Sequence, residues 1–359
     1  MSQQMMSYIE SQPAVWRQAA RLLPEAAYAA AAAMNGGHPV RRVVLVGSGS
    51  SHYACRALCC LIPPRCGTEF FSAVPTRLGP LEETAPGTVY WLVSQTGQST
   101  STQHAAAALR RRGATVWAFT ADAQSPLAQC ADGHVLIPCG EEHVGPKTKG
   151  VTTTILALWL TACALLGAHV PAEEARALAP AFEAAAENLP LCRAWAGQCT
   201  ETLAKAACLT LIAEGPALPL AEEGALKLLE TLYVPASAWE LEEFLHGGQN
   251  IINPGAVYLF LLGADPGRSR MEQLIRYCSG RGASCLCIDC ASPQPGLTPG
   301  RLAVRCCGSP AGLPYEVLPV FQILSAVVSA DKGIECDRPR YPDFYAALHT
   351  KLNAGEAGR

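Results

Sequence analysis

Short apolar runs alternate with helical segments along this chain, and the alternation starts twice. The first series comprises apolar runs at residues 41–46, 68–74, 89–93, 115–119 and 134–137, with helical segments at 52–61 and 102–112. The second series comprises apolar runs at 208–213, 257–262 and 283–288, with helical segments at 220–233, 269–279 and 315–332. Strands that alternate with helices predict a parallel sheet covered by helices on both faces. We therefore predict an α/β fold built from two doubly wound halves.

The two series divide the chain into five predicted segments. They are a helical lead-in at 1–40, a first α/β domain at 41–170, a helical linker at 171–205, a second α/β domain at 206–336 and a C-terminal tail at 337–359. The lead-in is rich in alanine, and Asn35-Gly36-Gly37 is a strong signal for the end of its helix. The similar plan of the two halves suggests a duplicated domain.

Composition narrows the class of protein. Half of the 359 residues are apolar, 16% are charged and the formal net charge is −3, which is typical of a globular chain. No basic run suggests DNA, RNA or an anionic membrane as a partner. Residues 1–17 lack the apolar core of a secretory signal, so a cytoplasmic location is expected. The apolar stretch 155–168 is too short to span a bilayer, so it is expected to form a buried helix.

Seventeen cysteines raise the question of disulfides or a metal. In a long chain without an export signal, most of them are expected to be reduced and buried. Cys285, Cys287 and Cys290, with Cys306 and Cys307 downstream, contain enough thiols for a metal site. The segment 283–289 also alternates like a short buried strand, and both interpretations stay open.

Two loops rich in hydroxyl groups connect predicted strands to predicted helices. The first is Gly47-Ser48-Gly49-Ser50-Ser51, and the second runs from Ser94 to Thr102. The backbone N–H groups and the dipole of a helix N-terminus favour an anion at such a junction. The first loop lacks the third glycine of the dinucleotide fingerprint, so a phosphomonoester fits better than a dinucleotide, although both loops could simply be polar helix caps.

A charged cluster is predicted on the helix at 220–233. Glu223, Lys227 and Glu230 lie at positions i, i+4 and i+7, so their head groups project from one helical face. His246 follows sixteen residues later. An acid, an amine and a histidine can perform proton chemistry, but the helix segment taken alone is more typical of a solvated face with an ordinary ion pair.

These motifs, taken in order, resemble the paired sugar isomerase (SIS) domains. The matching segments are 46–51, 94–99, Lys147 to Thr153, Glu223 to Glu230, and His246-Gly247, and the lead-in Glu10-Ser11-Gln12-Pro13 is also similar. Such pairs form the isomerase half of glucosamine-6-phosphate synthase and the whole of the fructosamine-6-phosphate deglycases. The resemblance implies two tandem, flavodoxin-like SIS domains, no cofactor, no metal, and a homodimer or higher homo-oligomer with shared active sites.

The resemblance also implies roles for individual residues. The sugar phosphate is assigned to Ser51, Ser94, Gln95, Thr96 and Ser99, and the sugar to Ser50, Thr148, Lys149 and Glu223. Glu230 matches the base that moves a proton between the first two sugar carbons, and Lys227 matches an amine near the carbonyl. His246 matches a ring-opening histidine that the neighbouring subunit donates in this family.

Several positions depart from the synthase pattern. Met1-Ser2 offers no N-terminal cysteine, so no glutaminase activity is expected of this chain. Lys147 replaces a hydroxyl residue, Gln98 replaces an acid, and Gly248 replaces a proline of the family pattern. Lys351 is only a loose candidate for the late lysine of the synthases. These differences favour the deglycase-like branch.

We therefore predict an enzyme that acts on a phosphorylated amino sugar in the cytoplasm. A ketosamine-6-phosphate deglycase is preferred, with an isomerase or a deaminase of glucosamine 6-phosphate as the alternative. A sugar-phosphate sensor is the alternative from another class, because SIS-like domains also occur in regulators. A sensor would not need the acid, amine and histidine, and residues 1–40 are too short and too poor in Lys and Arg for a DNA-binding module.

Overall fold

The computed structural model describes residues 3–36, 38–62, 67–78, 85–167, 170–292 and 294–351. Gly37 of the predicted helix end, Ala168 of the predicted buried helix, and residues 352–359 of the predicted tail lie outside the described residues. The helices are α1 (Gln3–Met34), α2 (Ser50–Leu61), α3 (Thr100–Arg111), α4 (Pro126–Gln129), α5 (Lys149–Leu166), α6 (Pro171–Ala177), α7 (Ala179–Lys205), α8 (Leu218–Leu232), α9 (Leu241–Leu245), α10 (Arg268–Ser279), α11 (Leu313–Asp331) and α12 (Phe344–Ala347). The strands are β1 (Arg42–Val46), β2 (Glu69–Ala73), β3 (Thr88–Val93), β4 (Thr115–Thr120), β5 (Gly133–Leu136), β6 (Leu209–Ala213), β7 (Ala236–Glu240), β8 (Val257–Leu262), β9 (Ser284–Asp289), β10 (Gly296–Thr298) and β11 (Arg301–Ala303).

The strands form two sheets, as predicted for an α/β chain with two doubly wound halves. The first sheet has the order β2-β1-β3-β4-β5 and is parallel throughout. The second has the order β10-β11-β9-β8-β6-β7, and only the β10–β11 pair is antiparallel. The central strands β3, β6 and β8 are almost entirely buried, which is why they read as continuous apolar runs in the sequence.

The chain divides into two compact units, each built around one sheet. The first-sheet unit contains residues 14–142, 149–179 and the segment from Arg340 onwards. The second-sheet unit contains the segment up to Pro13, residues 143–148 and residues 180–339. The contiguous domain boundaries drawn from the sequence stay a prediction.

Helices α5 and α11 are long and apolar enough, by length and composition, to cross a membrane. In each, 83% of the apolar stretch is buried inside the protein, as in the core helix of a compact domain. For α5 this confirms the buried helix predicted from residues 155–168.

Helix α8 packs closely against α11 at Gly224. A Cβ atom added to Gly224 would lie 2.6 Å from the Phe321 ring, which is closer than real side chains pack. We expect Gly224→Ala to lower the free energy of unfolding by about 1–3 kcal/mol, because overpacking displaces the ring or the helix. Urea unfolding of the two proteins measures the difference.

Gly197 provides the matched control in the same unit. It is exposed on α7, and an added Cβ atom would meet nothing within 4 Å. Gly197→Ala should therefore raise the free energy of unfolding by about 0.5–1 kcal/mol, since alanine favours helix more than glycine. The same sign of change in both variants would contradict the packing argument.

The sixteen described cysteines are all free thiols, and most are buried or half-buried. The strand interpretation of 283–289 is confirmed, since all but the first of these residues form β9 and Cys287 packs in the core with Phe260 and Met271. Among the described residues, no group of three or more His, Cys, Asp and Glu side chains is placed to hold a metal ion.

Glu316, in the first turn of α11, is a buried carboxyl beside the Cys306–Cys307 segment. Its Oε1 accepts a hydrogen bond from the Cys307 backbone N–H at 2.6 Å. Burial raises the pKa of Glu316 from its ordinary value of 4.5, and the Cys307 N–H partly opposes the rise. The fold therefore favours the neutral form of this carboxyl group more than the unfolded chain does.

This shift predicts how stability depends on pH. Below the ordinary pKa the group is protonated in both the folded and the unfolded chain; above it, the unfolded chain ionises first, so stability falls as pH rises toward the folded pKa. Glu316→Gln keeps an oxygen acceptor and removes the titration, so the variant's gain in Tm over the wild type should grow from pH 4 upwards. Exposed Glu25→Gln is the control, and a Tm difference for Glu316→Gln that does not vary with pH would contradict the argument.

Candidate active site

The two hydroxyl-rich loops leave neighbouring strands at one edge of the first sheet. Strands β1 and β3 pair in parallel, with Val46 opposite Leu92. The chain places β2 on one side of β1 and β3 on the other, so the strand order reverses between β1 and β3. Ligands of open α/β sheets bind at the carboxyl ends of the strands at such a switch point. The sheet topology therefore brings the two loops to the same edge of the first sheet, as predicted.

Glycines make the first loop possible. A Cβ atom at Gly47 would lie 2.9 Å from the backbone carbon of Ser51, so the turn into α2 closes too tightly for any side chain there. Gly49 precedes α2 with φ 56°, a left-handed conformation that favours glycine. Ser50 and Ser51 then occupy the first turn of α2, half-buried, beside the N-terminal N–H groups of the helix.

The second loop is fixed by backbone hydrogen bonds. The Ser94 N–H donates to the Phe119 carbonyl, and the Gln95 carbonyl accepts from Ala121 N–H at 2.7 Å. Gly97, with φ 65°, lies so close to Ser125 that a Cβ atom would be 2.2 Å from its Oγ atom. Ser99 precedes α3, and its hydroxyl accepts a hydrogen bond from the Thr102 hydroxyl at 3.0 Å. These contacts hold the loop with its hydroxyl groups at the start of a helix.

The start of α5 lies beside this second loop. A Cβ atom at Gly150 would be 2.2 Å from Gln95 Nε2, so the amide of Gln95 rests against the backbone of Gly150. The buried Lys149 precedes it, and its Nζ atom would lie 3.6 Å from a Cβ atom at Gly140. The first-sheet unit thus brings Lys149 and Gln95, two predicted site residues, onto adjoining segments.

Thr148 belongs to the second-sheet unit and is fully buried. Its carbonyl accepts a hydrogen bond from Gln322 Nε2 at 3.3 Å, and Gln322 in turn accepts from Gln12 at 2.7 Å. The backbone of Thr148 is therefore held by one buried amide, which a second buried amide fixes in turn. Its predicted contact with a sugar stays a prediction.

The switch point of the second sheet carries carboxylates instead of hydroxyl loops. Glu214 follows β6, Glu240 ends β7 and Asp265 follows β8. Burial, and then the charges of Asp265 and Glu240, raise the pKa of Glu214. The negative charge at this edge of the second sheet disfavours a phosphate. The corresponding edge of the first sheet, with its hydroxyl-rich loops, favours one.

The charged residues of α8 form a cluster in the second-sheet unit. Lys227 Nζ lies 2.5 Å from Glu230 Oε2 and 3.5 Å from Glu223 Oε1. The side chains of Lys227 and Glu223 are 1% and 2% exposed, whereas that of Glu230 is 32% exposed. The predicted grouping on one helical face is correct, and Glu230 is the carboxylate of the pair that reaches solvent.

His246 lies on a different element, at the C-terminal end of α9. Its Nδ1 atom is 2.7 Å from the Glu242 carbonyl oxygen, which can only accept, so Nδ1 donates. The neutral ring therefore carries its lone pair on Nε2, and the residue is exposed. Glu240 caps α9 by accepting from the N–H groups of Glu242 and Glu243, and the Glu242 side chain pairs with Arg270.

Sequence reasoning missed two acids that support these segments. Glu240 caps the helix that carries His246, but glutamate is not among the residues that N-cap positions prefer, so no clear sequence signal marks it. Glu142 accepts hydrogen bonds from Gln95 and Gly150. No local pattern marks Glu142, because its partner Gln95 is 47 residues away in the chain.

The chain is a tandem α/β protein. Hydroxyl-rich loops suited to an anion lie at one edge of the first sheet, and a cluster of two carboxylates and an amine lies on helix α8 of the second-sheet unit. Residues 38–164 match the model of the SIS domain. The chain therefore carries a SIS domain over these residues, which confirms the resemblance found in its motifs.

Two curated proteins are similar to this chain in sequence. Over 313 residues, 84% of this chain, it is 28% identical to the glutamine–fructose-6-phosphate aminotransferase (isomerizing) of Pyrobaculum aerophilum, of which 50% is covered. Over 89 residues, 24% of this chain and 26% of the relative, it is 37% identical to the fructoselysine 6-phosphate deglycase of Escherichia coli O157:H7. The chain spans about half the length of the aminotransferase that it matches.

A solved structure extends the fold comparison beyond the matched domain. The C-terminal domain of glucosamine-fructose-6-phosphate aminotransferase from Francisella tularensis aligns with a TM-score of 0.80. The alignment covers 94% of this chain and 99% of that one at 17% identity. It agrees with two tandem doubly wound α/β sandwiches as the fold of this chain.

Proposed function

We propose that this chain is an enzyme of phosphorylated amino sugars, and specifically a ketosamine-6-phosphate deglycase. The observation that carries the proposal is the α8 cluster. The Glu230 carboxylate reaches solvent while its partner, the Lys227 ammonium, is buried 2.5 Å away. An accessible carboxylate fixed by a buried cation is equipped to take and return a proton.

The phosphate of the substrate is assigned to the two loops of the first sheet. Their hydroxyl groups and helix N-termini favour an anion, and the loops follow β1 and β3, between which the strand order reverses, which supports the assignment. The proposed phosphate residues are Ser51, Ser94, Gln95, Thr96 and Ser99, with Ser50, Thr148 and Lys149 assigned to the sugar. Binding energy from the phosphate, remote from the reacting carbons, then holds the substrate during proton transfer.

The proposed reaction moves a proton from C1 to C2 and adds one water. Glu230 removes a proton from C1, which lies between the amine nitrogen and the C2 carbonyl, and the electron pair forms the C1=C2 bond of an enaminolate, whose C2 oxygen takes a proton from solvent. Return of the proton from Glu230 to C2 leaves a C1=N iminium ion. Water then adds to C1 and releases a proton to solvent, and the C1–N bond breaks as the hydroxyl proton passes to the nitrogen, which gives hexose 6-phosphate and the free amine. Lys227 stabilises the negative charge on the C2 oxygen as the enaminol forms.

His246 is assigned to opening of the sugar ring before proton transfer. Its Nε2 lone pair can accept the proton of the ring hydroxyl, because Nδ1 is held as a donor by the Glu242 carbonyl. The proposal includes a homodimer or higher homo-oligomer in the cytoplasm, in which His246 serves the site of the neighbouring subunit. Sedimentation of the purified protein reports the assembly.

An isomerase or deaminase of glucosamine 6-phosphate is the second candidate. It is favoured by the 28% identity to an isomerizing aminotransferase over 84% of the chain. The same proton transfer between C1 and C2 serves both reactions, and only the group attached to the sugar differs. The departures from the synthase pattern at Lys147, Gln98 and Gly248 support the deglycase instead.

A panel of three substrates tests the proposal. Purified protein is incubated with fructoselysine 6-phosphate, fructoseasparagine 6-phosphate or glucosamine 6-phosphate, and hexose 6-phosphate and released amine are measured. Release from either fructosamine supports the deglycase, and conversion of glucosamine 6-phosphate alone supports the second candidate. Binding of all three without turnover indicates a sensor, and absence of binding rejects a phosphosugar function.

A further inference from the structure

Glu142 connects two of the segments assigned to the substrate. It lies between β5 and α5, and 8% of it is exposed. Its Oε2 atom accepts a hydrogen bond from Gln95 Nε2 at 3.3 Å and another from the Gly150 backbone N–H at 3.1 Å. One carboxylate oxygen thus joins the second hydroxyl-rich loop to the first turn of α5.

Glu142 also determines the orientation of the Gln95 side-chain amide. The second neighbour of Gln95 Nε2 is Cys139 Sγ at 3.5 Å, and this thiol donates its own hydrogen to the Gly140 carbonyl. A carboxylate and a thiol that has already donated can only accept, so the nitrogen side of the amide must face both of them. Contact with Gly150 leaves the amide no room to move toward α5.

A negative charge is stable at this position for electrostatic reasons. The carboxylate lies at the N-terminus of α5, where the helix dipole favours an anion. Lys149, the first residue of α5, lies close to Gly140 in the segment that leads to Glu142. Replacement by glutamine would keep the size of Glu142 but remove the charge that strengthens both hydrogen bonds.

We propose that Glu142 is a positioning residue of the sugar-phosphate site, which acts by fixing the Gln95 side chain and the start of α5. This proposal rests on the proposed function, because it assumes that the loop containing Gln95 binds the substrate. Glu142 itself takes no part in proton transfer. Its removal should therefore weaken substrate binding and leave the chemical step nearly unchanged.

The first test separates binding from chemistry. Glu142→Gln should raise KM for the substrate about tenfold, since a charge-assisted hydrogen bond of about 1.4 kcal/mol corresponds to one decade of affinity. Its kcat should stay within about twofold of the wild type. Glu141→Gln, at the exposed neighbouring position, is the matched control and should change neither parameter. An unchanged KM in folded Glu142→Gln overturns the proposal.

A double-mutant cycle tests whether Glu142 acts through Gln95. Gln95→Ala should also raise KM about tenfold. The KM of the double variant should not exceed the higher KM of the two single variants, because both substitutions remove the same interaction. A product of the two effects, near a hundredfold, would mean that Glu142 acts independently of Gln95 and would overturn the proposal. Thermal unfolding of each variant confirms that the proteins compared are folded.

Binding of glucitol 6-phosphate, an open-chain analogue without a carbonyl, separates this proposal from the proposed function. Wild-type binding that weakens in Glu142→Gln supports both. Wild-type binding that is unchanged in the variant overturns only the role of Glu142. Absence of binding to the wild type rejects the phosphosugar function, and the role of Glu142 with it.

Discussion

Replacing Glu230 by glutamine is expected to lower kcat by a factor of about 10²–10⁴, the usual contribution of a general base. Glu230 is 32% exposed and is the carboxylate of the α8 cluster that can meet a substrate. Glutamine has the same shape and can still accept a hydrogen bond from Lys227, but it cannot take a proton. Steady-state kinetics with the best substrate of the panel measures the loss.

Ligand binding should survive the Glu230→Gln substitution. The phosphate contacts assigned to the first-sheet loops are untouched, so the Kd for glucitol 6-phosphate should change by less than about threefold. Glu201→Gln, which removes an exposed carboxylate paired with Lys205 at i,i+4, is the control and should leave kcat unaltered. Unchanged turnover in Glu230→Gln would remove Glu230 from the mechanism.

Replacing Lys227 by methionine is expected to destabilise the protein by about 3–5 kcal/mol. The Lys227 side chain is 1% exposed, and its ammonium group balances Glu223, which is 2% exposed. Without this cation, the Glu223 carboxylate is left charged in a buried position, and desolvation of such a charge is strongly unfavourable. Urea unfolding gives the difference in free energy.

A second variant identifies the cause of that loss. Glu223→Gln combined with Lys227→Met removes both buried charges and should restore much of the stability, although activity stays low. Lys205→Met, which breaks an exposed pair with Glu201, should change stability little. A double variant as unstable as Lys227→Met alone would mean that lost packing, and not the unbalanced charge, causes the effect.

The enzyme and sensor interpretations differ in what they require of α8. A sensor needs a binding loop but no proton acceptor, whereas burial of Lys227 between two carboxylates costs desolvation energy that a binding role does not explain. The chemistry of the cluster is the reason for preferring an enzyme.

Much of the fold could be predicted because its signals are local. The buried strands β3 and β8 read as apolar runs, and the loops after β1 and β3 carry their hydroxyl groups in consecutive positions. Strand β7 was not predicted, because this edge strand alternates between exposed and half-buried residues and carries little apolar character. Strands β10 and β11 have three residues each, too few for a period to appear.

The sequence by itself determined which chemical groups are present and which of them share a helical face, because a period of 3.6 residues is a local property of the backbone. It placed Glu223, Lys227 and Glu230 together. Only the tertiary structure decided that Glu223 and Lys227 are buried while Glu230 reaches solvent, and that Glu142 contacts Gln95. Burial and long-range contacts depend on residues far away in the chain, such as Phe321 of α11 against Gly224 of α8, and no local pattern records them.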